Sequence, residues 1–379
     1  MRYLIRLSAV IAAMATALLG APAVLANADD GEGGHHAVFV QTNDLNGNSV
    51  AAYSQNENGT LSYAATYATG GNGGRAAGAV VDPLASQSSL VYDTAHHLLL
   101  APNAGSNTVS VFRVHGDVLR LEQVIASGGP FPASIAVHDN LAFVLDAGLA
   151  GYVQGYRIAG GRLRPIAGTQ RSLGLANSNP PAFLQSPAQV GFTPDGRHLV
   201  ITMKGNSGGS VDVFAVSDDG QLSIAPTATA VGGNAFAFVF DPEGRLVIVN
   251  AAFGNLSTYT VNGNGSLSLV SAGAADGQKA ACWVTVVKNN YYAANAGSGT
   301  LSQYSINDSG SVALGNPLAA TGIPGSVDMA ASRDGHFLYA QSGAGGSVKA
   351  FSVSEDGSLS PIGSWTVPDG GSQEGIAAA

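Results

Sequence analysis

Short stretches that alternate hydrophobic and polar residues recur along the whole chain, most of them with an aromatic residue near the end. An alternation with period two is typical of a β-strand with one buried face. The pattern therefore predicts a set of seven related strands. They are NSVAAY (48–53), NTVSVF (107–112), GYVQGY (151–156), GSVDVF (209–214), NLSTYT (255–260), GTLSQY (299–304) and GSVKAF (346–351).

Each of these strands is followed by a polar or glycine-containing turn and a further short segment, as in SDDGQLS (217–223) and SEDGSLS (354–360). Asp-Gly and Asn-Gly supply the positive φ angles that tight hairpins need. Another hairpin precedes each strand, most clearly in FTPDGRHLVIT (192–202) and FDPEGRLVIVN (240–250). Each repeat therefore contains four strands, which we call A, B, C and D.

The first strands of the repeats are regularly spaced. Their A strands start near positions 89, 134, 189, 237, 283 and 328, which gives spacings of 45, 55, 48, 46 and 45 residues. Such spacings are typical of four-stranded propeller blades. The first repeat starts at HAVFVQTND (36–44) without an A strand, and QEGIAAA (373–379) matches the A pattern. We predict an all-β, seven-bladed propeller of antiparallel blades, closed by the C-terminal strand on the first blade.

Composition and charge narrow the choice of partners. The chain has 379 residues, of which 51 are glycine and only 11% are charged, and its net charge is -9. A glycine content this high fits a chain with many tight turns. The acidic balance and the lack of any Lys/Arg-rich run argue against binding to nucleic acid or to anionic membranes.

The amino terminus has the pattern of a secretory signal peptide. Arg2 and Arg6 precede an apolar run at 7–19, and small residues follow up to Ala26. That run is too short to span a membrane. We expect a signal peptide at 1–26, a flexible segment at 27–35 and one propeller domain at 36–379. The mature protein is then secreted or periplasmic, and a closed ring of this kind needs no second copy, so we expect a monomer.

The chain resembles the secreted seven-bladed propellers of the lactonase family, which includes sugar-phosphate lactonases and carboxymuconate-cyclising enzymes. The resemblance is carried by SPAQVGFTPDGRHLVIT (186–202), by ACWVTV (281–286) with NAGSGT (295–300), and by VDMAASRDGHFLYAQ (327–341). It implies hydrolysis or formation of a lactone or related cyclic ester. Some propeller lactonases use calcium; we expect no cofactor, and calcium held by channel oxygens is kept as an alternative.

The D-to-A and B-to-C loops share one face of the ring, and candidate site residues lie at the starts of the A strands. Asp328 and Glu374 belong to adjacent blades and are assigned acid and base roles, because neighbouring carboxyl groups acquire separated pKa values. Gln189 and Ser134 are expected to orient the carbonyl group. The remaining candidates for substrate binding are Lys204, Arg75, Trp283, Cys282, Phe236 and Asn234.

Plainer explanations exist for the same residues. The two carboxylates would cap backbone amides, and Cys282 would be a buried thiol beside Trp283, because no histidine lies near it to activate a nucleophile. Lys204 would be a solvated rim residue. Two functions remain open: an exported lactone hydrolase, or a non-catalytic propeller that binds a protein or glycan on its loop-rich face. A closed, partly apolar pocket with convergent polar groups favours the enzyme, and a broad exposed face favours the binder.

Overall fold

A computed structural model of the chain describes residues 36–205 and 208–379. They form seven antiparallel sheets arranged in a ring, so the predicted seven-bladed β-propeller is confirmed. The predicted signal peptide and the segment at 27–35 lie outside the described residues. No helix within the described part of the chain is long and apolar enough to cross a membrane.

The strand bounds follow the predicted four-strand repeat. Blades 1 to 4 contain, in chain order, β1 (Ala37–Gln41), β2 (Ser49–Gln55) and β3 (Leu61–Ala68); β4 (Val91–Asp93), β5 (Leu98–Asn103), β6 (Thr108–His115) and β7 (Val118–Ala126); β8 (Pro132–His138), β9 (Leu141–Asp146), β10 (Tyr152–Ala159), β11 (Arg162–Pro165) and β12 (Arg171–Ser172); and β13 (Pro187–Phe192), β14 (His198–Met203), β15 (Ser210–Ala215) and β16 (Thr227–Ala230). In blade 3, β11 and β12 both pair with β10 and together take the place of the D strand.

Blades 5 to 7 are more regular. They contain β17 (Ala235–Phe240), β18 (Leu246–Asn250), β19 (Asn255–Val261) and β20 (Leu267–Ala272); β21 (Ala281–Val287), β22 (Asn290–Asn295), β23 (Thr300–Ile306) and β24 (Val312–Ala320); and β25 (Ser326–Ala331), β26 (Phe337–Ser342), β27 (Ser347–Val353) and β28 (Leu359–Thr366), and the chain continues to β29 (Ile376–Ala378). Short 3₁₀ turns lie at Phe183–Gln185 and Gly370–Ser372.

The ring is closed by its two ends. Strand β29 pairs antiparallel with β1, in the register Val38 with Ala378 and Val40 with Ile376. This pairing completes blade 1 as the order β29-β1-β2-β3. The closure predicted from QEGIAAA is therefore confirmed, and it covers a strand edge that would otherwise be exposed.

The inner strands are buried on both sides because the blades pack face to face. In β1, Val38 and Val40 pack in the core shared with blade 7, whereas Ala37 and Phe39 pack in the core shared with blade 2. The C strand β2, for which alternation predicted one buried face, is likewise buried on both faces at its centre. Only the outer D strands, such as β3, show exposed positions along much of their length.

Chain direction divides the loops between two faces of the ring. We call the face with the D-to-A and B-to-C loops the mouth face and the face with the A-to-B and C-to-D turns the turn face. The two longest mouth loops, at 69–90 and 173–186, contact each other: the amide of Ala77 donates to the carbonyl of Pro181, and the amide of Phe183 donates to the carbonyl of Ala77.

Candidate functional site

Part of the loop between β3 and β4 is held by hydrogen bonds from several blades. We call residues 82–87 the channel segment; Leu84, Ala85 and Ser86 are completely buried in it. Its backbone carbonyls accept hydrogen bonds from three different blades. The indole Nε1 of Trp283 donates to Ser86 at 2.8 Å, the Oγ of Ser134 donates to Gln87 at 2.7 Å, and the ammonium group of Lys204 donates to Ala85. The segment is therefore held by blades 3, 4 and 6.

Glu374, at the start of β29, holds the channel segment from blade 1. The residue is completely buried, and its carboxyl oxygens accept hydrogen bonds from the amides of Leu84 at 2.5 Å and Ser86 at 3.1 Å. In the channel segment itself, Oδ1 of Asp82 accepts a hydrogen bond from the amide of Ala85 at 2.7 Å. The other oxygen, Oδ2, is buried and makes no hydrogen bond of regular geometry with the described residues. The carboxyl groups of Asp82 and Glu374 also bond to each other through a shared proton, which ties Asp82 to the residue that holds the channel segment.

The buried charges shift one another's protonation. Burial raises the pKa of Asp82 to about 6, although Glu374 and the Lys204 ammonium oppose that rise. Burial, together with the negative charge of Asp82, raises the pKa of Glu374 well above its ordinary value. At neutral pH the pair therefore holds one proton, which resides on Glu374, and Asp82 is the ionised member.

Lys204 is a buried residue and not a solvated one. Its side chain is 1% exposed, and its Nζ lies 4.8 Å from the ring centre of Phe236 and 5.5 Å from that of Phe183. A second hydrogen bond reaches the carbonyl of Pro187 at 3.3 Å. Burial lowers the pKa of Lys204 to about 8, against the opposing charge of Asp82. The residue therefore stays cationic at neutral pH and compensates the charge of Asp82 inside the protein.

Asp82 faces a cavity of about 290 Å³ on the mouth face. Phe236 packs behind one wall, with its ring centre 5.2 Å from that of Trp283. The wall is predominantly apolar, and Asp82 is its only ionisable carboxyl group among the described residues. The lining residues are Gly78, Val80, Val81, Asp82, Phe183, Ala280, Cys282, Trp283, Ala296 and Gly297. The cavity therefore combines an apolar wall with one buried carboxylate, an arrangement typical of small-molecule sites.

Two sequence-predicted residues, Cys282 and Trp283, line this cavity. The thiol of Cys282 is buried, and its burial raises its pKa above the ordinary value. A thiol with a raised pKa is a poor nucleophile at neutral pH, so the chemistry of this wall is that of a small apolar group. Trp283 contributes its ring to the cavity and its N–H to the channel segment.

Asp328 and the two predicted carbonyl-orienting residues do not belong to the cavity lining. Asp328 is buried and accepts a hydrogen bond from the amide of Met329, and burial raises its pKa to about 7. Gln189 joins two blades, since its amide group bonds to the backbone N–H and C=O of Phe238. Ser134, besides its bond to Gln87, accepts from the amide of Val190 at 3.1 Å. The acid, base and orienting roles assigned to these residues stay predictions.

Arg75 and Asn234 lie outside the cavity wall. The guanidinium group of Arg75 donates to the Oγ of Ser372 at 2.9 Å and to the carbonyl of Val80 at 3.5 Å, so it supports the loop that forms one side of the cavity. Asn234 precedes β17 with a φ of 43°, and its carbonyl accepts from the amide of Ala251.

Sequence reasoning overlooked Asp82, whose carboxyl group belongs to the cavity lining. The residue lies in the loop AVVDPLA (79–85), far from the start of any A strand. A single carboxylate within an otherwise apolar loop stretch was the available signal, because apolar flanks predict burial and buried carboxylates are rare outside functional or paired settings.

A calcium site does not fit these residues. Within 36–205 and 208–379 no group of three or more His, Cys, Asp or Glu side chains is arranged to hold a metal ion. Calcium needs several oxygen ligands around one point. Of the four carboxyl oxygens of Glu374 and Asp82, three accept hydrogen bonds from backbone amides instead.

The seven sheets and the cavity beside Asp82 define the protein as a seven-bladed β-propeller with a candidate small-molecule site. Residues 149–284 match the family model "Lactonase, 7-bladed beta-propeller", so the resemblance to that family is confirmed. Among solved structures, the chain is similar to the periplasmic gluconolactonase PpgL of Pseudomonas aeruginosa (TM-score 0.70, 17% identity, 90% of this chain and 98% of that chain covered). It is also similar to a protein from Lactobacillus plantarum (TM-score 0.69, 15% identity, 91% and 98% covered). At these identities the likeness concerns the fold. No curated protein matches the chain in sequence.

Proposed function

We propose that the protein hydrolyses a lactone or related cyclic ester in the cavity beside Asp82, at the mouth of the channel. The observation that carries the proposal is the carboxyl group of Asp82, which belongs to a residue in the wall of a largely apolar cavity, shares a proton with Glu374 and has a pKa raised to about 6. The match to the lactonase family model supports the reaction class. A concave and largely apolar cavity also favours an enzyme over a propeller that binds its partner through a broad exposed face.

The proposed reaction uses Asp82 as a general base. Its carboxylate accepts a proton from a water molecule while the water oxygen attacks the lactone carbonyl carbon. The ring C–O bond of the resulting tetrahedral intermediate then breaks, and the proton returns from Asp82 to the leaving alkoxide. The products are an open-chain hydroxy acid and an unchanged enzyme. A base with a pKa near 6 suits this role because it is ionised at neutral pH and still basic enough to accept the proton.

Glu374 acts in this mechanism as a positioning residue. It fixes the amides of Leu84 and Ser86, and so it fixes the segment that carries Asp82. Lys204 holds the same segment through Ala85 and keeps Asp82 ionised by its charge. Small displacements of a catalytic group lower rates strongly, so a rigid channel segment is a requirement of the proposed reaction.

The experiment that tests the function is proton release at constant pH from the purified protein with a panel of neutral and acidic lactones. We expect D82N to lower kcat/KM by about 10² to 10⁴, the usual contribution of a general base. The matched control is D334N, which makes the same chemical change on the turn face and should leave the rate unchanged. Both variants are compared with the wild-type protein by circular dichroism, and a folded D82N that retains more than a third of the activity contradicts the assignment.

We also propose that the protein is exported and acts as a monomer. The signal-peptide pattern at 1–26 and the closed ring support this. Mass determination of the chain recovered from the periplasm or medium should show cleavage near Ala26, and light scattering should give the mass of one chain. An uncleaved, cell-retained chain would contradict export.

A further inference from the structure

We propose that the cavity beside Asp82 selects a neutral lactone with a short apolar substituent and rejects lactones that carry a carboxylate or phosphate. This inference rests on the proposed function and names its substrate class.

The first argument is the chemistry of the wall. Val80, Val81 and Phe183 line one part of the cavity, and Trp283 with Ala296 lines another. Burying a hydrocarbon group against such side chains is favourable in proportion to the area removed from water. A polyhydroxylated ring would lose hydrogen bonds with water there and find few partners in return. The wall therefore favours an apolar substituent over a sugar.

The second argument is charge. The only ionisable carboxyl group among the described lining residues is that of Asp82, and no cationic side chain lines the cavity beside it, so an anionic substrate finds no opposite charge in the wall. Lys204 is not directed at a ligand, since its ammonium group donates to the carbonyls of Ala85 and Pro187 and is 1% exposed. Arg75 is engaged with Ser372 and Val80. Neither cation is therefore placed to neutralise a carboxylate or phosphate.

Lys279 is the remaining nearby cation, and it lies next to Ala280 at the rim. It is exposed and is not part of the cavity wall. An exposed lysine contributes little to the recognition of a buried anion because water and salt screen its charge. Its removal should therefore leave the discrimination between neutral and anionic lactones unchanged.

The third argument is size. A volume of about 290 Å³ holds about ten water-sized groups, because one water molecule occupies about 30 Å³ in the liquid. A five- or six-membered lactone ring with a side chain of a few carbons fills this space.

The test compares three compounds at one pH with the wild-type protein. They are γ-octalactone, which is neutral and apolar, D-glucono-δ-lactone, which is neutral and polar, and the γ-carboxylate of γ-butyrolactone, which is anionic. We expect kcat/KM for γ-octalactone to exceed the other two values by at least about tenfold, the range that a few buried methylene groups provide. Hydrolysis that depends on Asp82 but is equal or faster for the anionic or the sugar lactone overturns the inference and leaves the proposed function standing.

A charge introduced at the rim sharpens the test. Val80 is 83% exposed and lines the cavity, so V80K adds a cation without disturbing the core, and V80Q is the control of similar length without charge. We expect V80K to raise kcat/KM for the anionic lactone by about two- to fivefold relative to V80Q, as exposed ion pairs do, whereas the two variants should have similar values for γ-octalactone because both lose the same valine from the cavity wall. K279A should change neither value, and a K279A variant that loses its activity on the anionic lactone contradicts the inference.

Failure of the proposed function gives a different result. If none of the three lactones is hydrolysed, their binding to the inert wild-type protein is measured by isothermal titration calorimetry. Binding of γ-octalactone at least about tenfold tighter than that of the carboxylate supports the ligand class without the reaction. Equal binding, tighter binding of the carboxylate, or no binding of γ-octalactone overturns the inference.

Discussion

Acidic side chains on the two faces of the ring have opposite electrostatic environments. On the turn face, Asp195, Asp219, Asp334 and Asp356 have lowered pKa values, because hydroxyl and amide groups a few residues away donate to them. On the mouth face, burial raises the pKa values of Asp82, Asp146, Asp328 and Glu374. The ionised forms of these turn-face acids are stabilised by the hydrogen bonds that they accept. The ionised forms of these four mouth-face acids are destabilised by burial, which lowers the stability of the folded protein at neutral pH. Such a cost is typical of residues retained for function.

The largest effect that tests this comparison is the pH dependence of hydrolysis. Because the proposed base must be ionised, activity is present above the pKa of Asp82 and is lost below it. Burial raises that pKa to about 6, so kcat/KM should fall about tenfold for each pH unit below about 6. A pH-stat series between pH 4.5 and 8 measures the midpoint. If kcat/KM instead fell with a midpoint near pH 4, the acid that controls the reaction would be exposed to water and would not be a buried carboxyl group such as Asp82.

The same series separates Asp82 from Asp328. Burial raises the pKa of Asp328 to about 7, and its carboxyl group accepts from the amide of Met329. We expect D328N to keep the midpoint near that of the wild type, apart from a small shift when a neighbouring charge is removed. Loss of the pH dependence in D328N would make Asp328 the base and Asp82 a structural residue.

The fold could be predicted from the sequence because its signals are local and repeated. Each blade carries the same alternation and the same Asp-Gly or Asn-Gly turns, as at 217–223 and 354–360, so errors in one repeat are corrected by the others. Ring closure was predictable for the same reason, since 373–379 resembles the first strands of other blades. The pairing of neighbouring strands shifts by one residue at some positions, for example between Ala281 and Trp283. No comparable sequence pattern predicts where these shifts occur.

The site was less predictable because it is built by a loop that appears only once. Of the residues predicted at the starts of the A strands, Cys282 and Trp283 line the cavity. The loop at 69–90, however, engages Ser134, Lys204 and Glu374 as its own hydrogen-bond partners. No periodicity determines where such a loop folds, so the position of Asp82 follows only from three-dimensional packing.

A stability measurement tests the mouth face at Asp146. Asn103, Asn250 and Asn295 occupy the corresponding strand ends in blades 2, 5 and 6, and each donates to a serine of the next strand, as Asn295 does to Ser302. Asp146 is completely buried, and neither of its carboxyl oxygens makes a regular hydrogen bond within the described residues. Burial raises its pKa from 3.8 to about 7, although contacts with the side chain of Ser127 and the backbone amide of Gly129 oppose that rise. The ionised form is therefore unfavourable in the folded protein.

We expect the stability of D146N relative to the wild-type protein to rise by about 4 kcal/mol between pH 4 and pH 7.5, because each unit by which burial raises the pKa of Asp146 corresponds to about 1.4 kcal/mol. The folded pKa lies above the unfolded one, so the wild type loses stability as the pH rises from about 4 to about 7 and the advantage of D146N grows over that interval. Urea denaturation at several pH values measures the difference. A difference that does not change with pH would show that Asp146 is not a buried acid with a raised pKa.

The smallest effect is expected on the turn face, at Asp195. Its Oδ1 accepts from the Oγ1 of Thr193 at 2.7 Å and from the amide of Arg197 at 3.1 Å, and these bonds lower its pKa. We expect D195A to lose about 1 kcal/mol, since the two hydrogen bonds close an exposed turn. A lowered folded pKa means that this contribution is present above the unfolded pKa and disappears as the pH falls through the folded one, so the loss should be constant between pH 5 and 8. A D195A difference that changes across that range, as the D146N difference does, would remove the distinction between the two faces.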